Sequence, residues 1–257
     1  MLNSQRRRQL LLAFGASASL NGVAQSKAWS VQFDPASVPT MYADEQGQAR
    51  GIYPALVAAA FARMGEPLRA GTLPFRRLLN ELRDGQSLAG AVIRTPEREA
   101  FADFSYPYFS EGLTVLTLAE RTPEMVNWGA LKRGRVGIIR GWSYGQGFEA
   151  ARQSQELRVE EVTSDLNNLL MLLRKRLDAV LITEIGARYL QLRHPELQAL
   201  APAFRLNAND IHLAVPRGQP GGPQLLERFN AAVAALRRAG ELERLAEQAL
   251  QQAATRG

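Results

Sequence analysis

Cysteine is absent from this chain of 257 residues, and histidine occurs only twice, at His194 and His212. The lack of cysteine excludes a disulfide framework, a thiolate metal site and a cysteine nucleophile. The two histidines are far apart and no ligand cluster accompanies them, so metal catalysis is not expected. His212 lies in a strand-like pattern and is predicted to be structural. The sequence therefore gives no sign of a metal or another cofactor.

Several functional motifs are also missing. The chain has no phosphate loop, no dinucleotide-binding fingerprint and no serine-hydrolase motif. After the N-terminal region, no segment is long and apolar enough for a membrane-spanning helix. No basic stripe with interleaved aromatic residues stands out, so nucleic acid is not expected as a partner. The composition, 46% hydrophobic and 22% charged, is typical of a globular chain with a large core.

The N-terminal residues have the pattern of an export signal. A basic region, Arg6-Arg7-Arg8, precedes an apolar stretch from Leu10 to Leu20, and Ser26-Lys27-Ala28 is a plausible cleavage site, with Ala24 as a second one. The pattern predicts a signal peptide over residues 1–28, of either the general secretory or the twin-arginine type, and a periplasmic protein. Removing it changes the net charge from +6 to +2, because those residues hold four basic groups and no acids.

Strand-like and helix-like segments alternate in two blocks, separated by a composition break near residues 119–134. Such alternation predicts two α/β lobes. The predicted strands are residues 30–33, 88–93, 112–118, 135–140, 157–162, 178–182 and 211–215. The predicted helices are residues 53–64, 76–83, 143–152, 165–176 and 184–192, with a further helical face between residues 225 and 236.

The most informative motif is Thr95-Pro96-Glu97-Arg98, which precedes Phe104-Ser105-Tyr106-Pro107-Tyr108. Thr95 can cap a helix, Pro96 suits its first turn, and Glu97 adds a favourable negative charge there. Arg98 then lies at a helix start, where it can hold a carboxylate. Taken alone, the motif is better explained by an arginine that pairs with a surface acid.

Further motifs follow in a characteristic order. They are Asp34 with Pro39, Asp44, Gly47 and Gly51; Pro74-Phe75 with Leu78-Leu79; Arg135-Val136-Gly137; Gly141-Trp142-Ser143; and Asp178-Ala179-Val180 before Thr183-Glu184. Together with the arginine motif, their order and spacing resemble the periplasmic solute-binding proteins of ABC importers, in the amino-acid-binding family (family 3). The resemblance covers essentially the whole chain after the signal.

The resemblance implies a type II periplasmic binding protein fold, with a ligand cleft between two lobes joined by two crossing strands. Lobe 1 would comprise residues 29–110 and 208–257, with lobe 2, residues 111–207, inserted between them. The implied function is capture of a small carboxylate-bearing polar solute by lobe closure, without chemistry. The implied partners are that solute and a membrane ABC permease, with the protein acting as a monomer.

The resemblance also assigns residues to an anion site. In the family, the arginine at the position of Arg98 holds the ligand carboxylate. Arg94, in the loop before it, is a possible second anion contact. Ser143 begins a predicted helix and either caps it or also helps to hold the anion.

Other residues would contact the remainder of the ligand. Phe75 would form an aromatic wall, with Trp142 as a weaker candidate of the same kind. Asp34 either accepts from a ligand ammonium or caps the next turn.

The chain departs from the family pattern at several positions. The second-lobe acid that usually grips the ammonium falls on Thr183, with Glu184 one residue later. The small hydroxyl residue five before the arginine is Ile93, and the aromatic after Pro39 is Thr40. A buried ammonium without an acid partner is costly. An amino acid and another small carboxylate therefore both remain open as ligands.

Two other functions remain open as well. Some relatives with this fold are periplasmic dehydratases acting on cyclohexadienyl acids, and such an enzyme would need a cleft acid near the arginine. Glu184 with Arg98 would supply that pair. The other possibility is a solute sensor that signals through a separate membrane partner.

Overall fold

The computed structural model describes residues 28–124, 127–132, 134–140, 144, 148, 152–153 and 156–255. Its strands are β1 (Trp29–Phe33), β2 (Ala36–Ser37), β3 (Met41–Ala43), β4 (Ala49–Arg50), β5 (Leu68–Thr72), β6 (Leu88–Val92), β7 (Ala102–Phe104), β8 (Phe109–Leu118), β9 (Arg135–Ile139), β10 (Arg158–Val162), β11 (Ala179–Thr183) and β12 (Leu200–Pro216). Its α-helices are α1 (Ile52–Met64), α2 (Phe75–Arg83), α3 (Pro96–Glu99), α4 (Trp128–Leu131), α5 (Asp165–Leu173), α6 (Glu184–Arg193), α7 (Gly222–Arg238) and α8 (Glu241–Thr255). Two 3-10 helices cover Ala119–Glu124 and Pro195–Ala199.

Most strands belong to one hydrogen-bonded sheet, in the order β10-β9-β11-β8-β12-β6-β1-β5, with β7 also paired to β12. The small strands β2, β3 and β4 form a separate sheet. β5, β1 and β6 are parallel to one another, and so are β10, β9 and β11. The parallel strands thus form two groups, one at each end of the sheet, and β8 and β12 join them.

The two joining strands are antiparallel partners over most of their length. The pairing runs from Leu200 opposite Leu118 to Ile211 opposite Phe109, after which β12 pairs with β6 and β7. In this region hydrophobic periodicity predicted a strand only over residues 211–215, and the family resemblance implied a crossing strand near residues 206–211. The earlier part, residues 200–210, is half-exposed and contains polar residues. It is a strand because β8 supplies its hydrogen bonds, which hydrophobic periodicity does not reveal.

The other sequence-predicted strands and helices that fall on described residues are confirmed, with shifts of a few residues at their ends. Helix α1 ends at Gly65, whose φ of 68° is the left-handed conformation of a glycine C-cap. Most of the helix predicted over residues 143–152 lies outside the described residues. The sequence did not predict β5 or α8, although the buried residues of α8, Leu242, Ala249, Leu250 and Ala253, have a helical spacing.

The hydrophobic core is divided between the two groups of parallel strands. One cluster packs β1 against α1, α7 and α8 and includes the buried rings of Phe33, Phe61 and Phe229. A second cluster packs one face of β8, β9 and β11, and a third packs the other face of β8 and β11 against α5. The predicted residue bounds of the two lobes remain a prediction.

Helix α6 links the two groups. It follows β11 directly, yet Ile185 and Tyr189 pack against the first cluster. Arg188 of α6 also donates two hydrogen bonds to the Glu247 carboxylate of α8, at 2.8 and 2.9 Å. Across the described ranges, no helix combines the length and the apolar character needed to cross a membrane.

Candidate functional site

The parallel strands β5, β1 and β6 end at one edge of the sheet, and three predicted site residues lie just beyond that edge. Asp34 follows β1, Phe75 begins α2 after β5, and Arg98 lies in α3 after β6. The backbone N–H of Leu73 donates to the Phe33 carbonyl at 2.9 Å and holds two of these segments together. The carboxyl edge of an open α/β sheet is where ligands of such folds bind.

Arg98 is fixed by its own loop. The Thr95 hydroxyl accepts a hydrogen bond from the Arg98 N–H at 3.4 Å, so Thr95 caps α3 as the sequence predicted. The Arg98 Nη1 donates to the Ile93 carbonyl at 2.6 Å. Partial burial lowers the pKa of Arg98 from its ordinary value, yet the group remains a cation at neutral pH. Among the described residues no carboxylate forms an ion pair with it.

The Phe75 ring packs against the Arg98 guanidinium. The Arg98 guanidinium carbon lies 5.3 Å from the centre of the Phe75 ring, within the range of a cation–π contact. The ring is 36% exposed, which is high for a large apolar side chain. Ile93, 39% exposed, lies in the same loop. Phe75 and Arg98 therefore form one accessible surface with a cationic and an aromatic part.

The other two predicted residues of this region have partners within the protein. Asp34 accepts a hydrogen bond from the Ala36 N–H at 3.3 Å, and burial raises the pKa of Asp34. It therefore caps the next turn, while its half-buried carboxylate stays at the sheet edge. Arg94 forms an ion pair with the Glu99 carboxylate, so its guanidinium already has an acidic partner within the protein.

At the opposite group of strands, Thr183 ends β11 and caps α6. Its Oγ1 accepts the Gly186 N–H at 3.0 Å. Glu184, the next residue, is exposed and pairs with Arg205 of β12 at 2.5 Å. Gly112 makes room for this pair, because a Cβ there would lie 2.3 Å from the Glu184 carboxylate.

Two predicted residues, Trp142 and Ser143, lie outside the described residues. Asp178, in a motif of the second block, has a structural role. Its carboxylate accepts from the Arg135 N–H and from the Arg121 Nη1, both at 2.8 Å.

The structure adds a residue that sequence reasoning missed. Glu111 of β8 is half-buried and lies beside the Tyr53 and Thr183 hydroxyls. Burial, together with the charge of Asp165, raises the pKa of Glu111 to about 7. Burial likewise raises the pKa of Asp165, the first residue of α5, to about 6. In the sequence, Glu111 is one acid inside an apolar strand, and nothing there marks it as part of a site.

Metal-ligating residues do not cluster anywhere in the described ranges. His212 is buried, and its Nδ1 lies 2.8 Å from the Ser105 carbonyl. Its role in the strand is therefore structural, as predicted.

The sequence profile of the bacterial extracellular solute-binding proteins, family 3, matches residues 30–252. The chain belongs to this family. No curated protein gives a significant match to it.

Solved structures share the fold of this family 3 protein. The second substrate-binding domain of GlnP from Lactococcus lactis, in an open conformation, has a TM-score of 0.71 and 21% identity, covering 88% of this chain and 97% of that one. The amino acid ABC transporter substrate-binding protein AbpA from Streptococcus pneumoniae, bound to L-arginine, has a TM-score of 0.66 and 24% identity, covering 90% and 97%. A histidine kinase sensor domain with similarity to periplasmic binding proteins has a TM-score of 0.67 and 20% identity, covering 86% and 95%.

These similarities establish the type II periplasmic binding protein fold that the sequence predicted. The family is extracellular and binds solutes, so solute binding is the general function of this protein.

Proposed function

We propose that this protein captures a small carboxylate-bearing polar solute in the periplasm by closing its lobes around it. It then delivers the solute to a membrane ABC permease, as a monomer and without chemistry. Family membership and the amino-acid-binding transporter components with the same fold support this proposal.

The observation that carries the proposal is the state of Arg98. Its guanidinium is partly buried, fixed by the Ile93 carbonyl and the Phe75 ring, and free of any carboxylate partner among the described residues. Several exposed arginines among the described residues pair with an acid instead, as Arg94 does with Glu99 and Arg188 with Glu247. An oriented and unpaired guanidinium at a ligand-binding edge fits a carboxylate through two parallel hydrogen bonds.

The first test is a thermal-shift screen with amino acids, hydroxy acids, dicarboxylates and aromatic acids. A compound at 100 times its dissociation constant adds about 2.7 kcal/mol of stability. For a protein of this size the melting temperature then rises by about 2–4 °C per kcal/mol. A compound class that produces such a shift identifies the cargo, and calorimetry then gives its affinity.

The deciding variant is Arg98→Gln. It should weaken binding of any carboxylate found by about 2–5 kcal/mol, the usual loss when one partner of a buried charge pair is removed. Arg83→Gln is the matched control, because Arg83 also stacks on a phenylalanine, Phe101, at 4.6 Å and lies at the far end of α2. Equal affinities of the Arg98 and Arg83 variants would contradict the proposal.

A sensor function is the second candidate, because a histidine kinase sensor domain has the same fold. Gene context separates the two, since a neighbouring permease favours import and a neighbouring membrane kinase favours sensing. The dehydratase alternative needed Glu184 as a cleft acid. Glu184 is instead an exposed partner of Arg205, so the described residues offer that reaction less support.

A further inference from the structure

Two stretches of chain connect the two groups of strands. β8 carries the chain from the group of β5, β1 and β6 to the group of β10, β9 and β11, and β12 carries it back. Both strands are partly exposed where they pass between the groups, at residues 109–111 and 201–210. Closure of the proposed cleft would be a rotation of one group against the other about these two strands.

Helix α6 makes a further contact between the groups, through side chains. It begins at Glu184, directly after β11, and so belongs with the second group. Ile185 and Tyr189, one turn apart on α6, nevertheless pack against the core cluster of the first group. The same helix contacts α8, which is part of that core. The two groups are therefore held together by α6 and α8 as well as by the joining strands.

A bidentate ion pair fixes the contact between α6 and α8. Arg188 donates from Nη1 to Glu247 Oε2 at 2.8 Å and from Nη2 to Glu247 Oε1 at 2.9 Å. Gln251, one turn later on α8, donates its Nε2 to the same carboxylate at 2.9 Å. The hydrogen bonds from Gln251 and Arg188 lower the pKa of Glu247, so this carboxylate is ionised at neutral pH. Two parallel hydrogen bonds need a fixed relative orientation, so the pair tolerates little rotation of α6 against α8.

The proposed cleft is open in the arrangement that this ion pair holds. Phe75 and Ile93, at the carboxyl edge of the first group, are among the exposed large apolar side chains of the described residues. Glu184, at the carboxyl end of β11 in the second group, is exposed as well. Closure on a solute would cover the edge that carries Phe75 and Ile93.

We propose that the ion pair between Arg188 and Glu247 stabilises the open arrangement and thereby lowers the affinity for the solute. A rotation that closes the cleft moves α6, which follows β11, relative to α8, and this breaks the pair. The apparent dissociation constant is the intrinsic one divided by the fraction of closed protein, so a contact made only in the open arrangement raises it. The inference rests on the proposed function in one respect, that the lobes close around the solute.

The first test is calorimetry with L-arginine, L-glutamine, L-lactate, succinate and phenylacetate as probes. Arg188→Ala and Glu247→Ala should each lower the dissociation constant of a probe that binds by about two- to fivefold, the range for losing an exposed ion pair. The double variant should bind no tighter than the tighter single variant, because both changes remove the same interaction.

Two further variants exclude a general effect on the fold. Arg228→Ala is the matched control, because the Arg228 and Arg188 side chains are 51% and 53% exposed and each pairs with a glutamate. Arg228 on α7 and its partner Glu66 both belong to the first group, so the loss of their pair should leave affinity unchanged. Exchanging the charges, with Arg188→Glu and Glu247→Arg in one protein, should restore the wild-type affinity. Circular dichroism verifies that each variant is folded.

The second test needs no solute. The chain has no cysteine, so Glu45→Cys and Glu160→Cys, at exposed positions beside β3 and in β10, can carry one spin label each. Pulsed electron paramagnetic resonance then gives the distribution of distances between the two groups. A bound probe should enrich one population in the wild type. Arg188→Ala should enrich the same population about two- to fivefold without any probe, and Arg228→Ala should not.

The outcomes separate this inference from the proposed function. If a probe shifts the distances in the wild type but the Arg188 and Arg228 variants bind it equally well, the role of the ion pair is wrong and capture by closure still stands. Weaker binding by both Arg188→Ala and Glu247→Ala would also overturn the inference, because the pair would then stabilise the closed arrangement. A distance distribution that no binding probe changes would contradict closure, and with it both proposals.

Discussion

The Arg98 guanidinium lies 5.3 Å from the centre of the Phe75 ring, although the two residues follow different strands. Phe75 begins α2 after β5, and Arg98 lies in α3 after β6, on either side of β1. The contact therefore ties together two loops at the carboxyl edge of the sheet. It orients the cation that is proposed to bind the cargo, so the ring should affect affinity through Arg98.

Phe75→Leu should weaken the binding of any carboxylate probe by about 0.5–2 kcal/mol, the range for losing a cation–π contact. That corresponds to a roughly 2- to 30-fold higher dissociation constant, measured by calorimetry. Phe101→Leu, which removes the ring beneath Arg83, is the control and should leave binding as it is. If the two variants bind equally well, Phe75 does not act on the site.

Glu111→Gln should make the ligand-free protein more stable at pH 8. The folded pKa of Glu111 is about 7, above its ordinary value of 4.5, so the folded state favours the protonated form. Ionising Glu111 in the folded protein therefore lowers the free energy of unfolding. This penalty is absent below pH 4.5 and complete above pH 7. At 1.36 kcal/mol per pKa unit it reaches about 3 kcal/mol.

Urea unfolding at pH 5 and pH 8 measures this effect. The free energy of unfolding of Glu111→Gln should exceed that of the wild type by a large margin at pH 8 and by a small one at pH 5. Glu160→Gln should show no such trend. If the Glu111→Gln variant is instead less stable than the wild type at pH 8, the Glu111 carboxylate of the wild type has a stabilising partner in the folded protein.

Gly90→Ala should destabilise the fold by about 1–3 kcal/mol, as overpacking of a core does. A Cβ at Gly90 would lie 2.2 Å from the buried Phe33 ring, which has no room to move. Gly112→Ala should cost less, because its Cβ meets only the ends of Glu184 and Arg205, two exposed side chains that can turn away. Thermal melting compares the two, and an equal loss would contradict this reading of the contacts.

The sequence predicted the elements that local rules control. The capped turn before Arg98 and the end of α1 at Gly65 follow from single-residue preferences, and both are confirmed. The fold class followed from the order of the motifs and is also confirmed. The roles of Arg98, Asp34 and Phe75 in ligand binding remain predictions, although the structure brings these residues to one sheet edge.

Several features had no local signal. The first part of β12 is a strand because β8 lies beside it, and its half-exposed polar residues have no clear period. Glu184 followed the expected position by one residue, and that offset directs its side chain to Arg205. Glu111 is a single acid in an apolar segment, with no neighbouring motif to reveal its role.

The sequence by itself determined most of the helices and strands, because propensity, capping and hydrophobic period act over a few residues, and the order of its motifs indicated the family. Only the tertiary structure decided which polar and charged side chains lie close together. Glu111, Asp165, Tyr53 and Thr183 come from separate elements, and the crossing of β8 between the two groups of strands brings them together. Burial there changes their protonation, and burial depends on the whole packed chain.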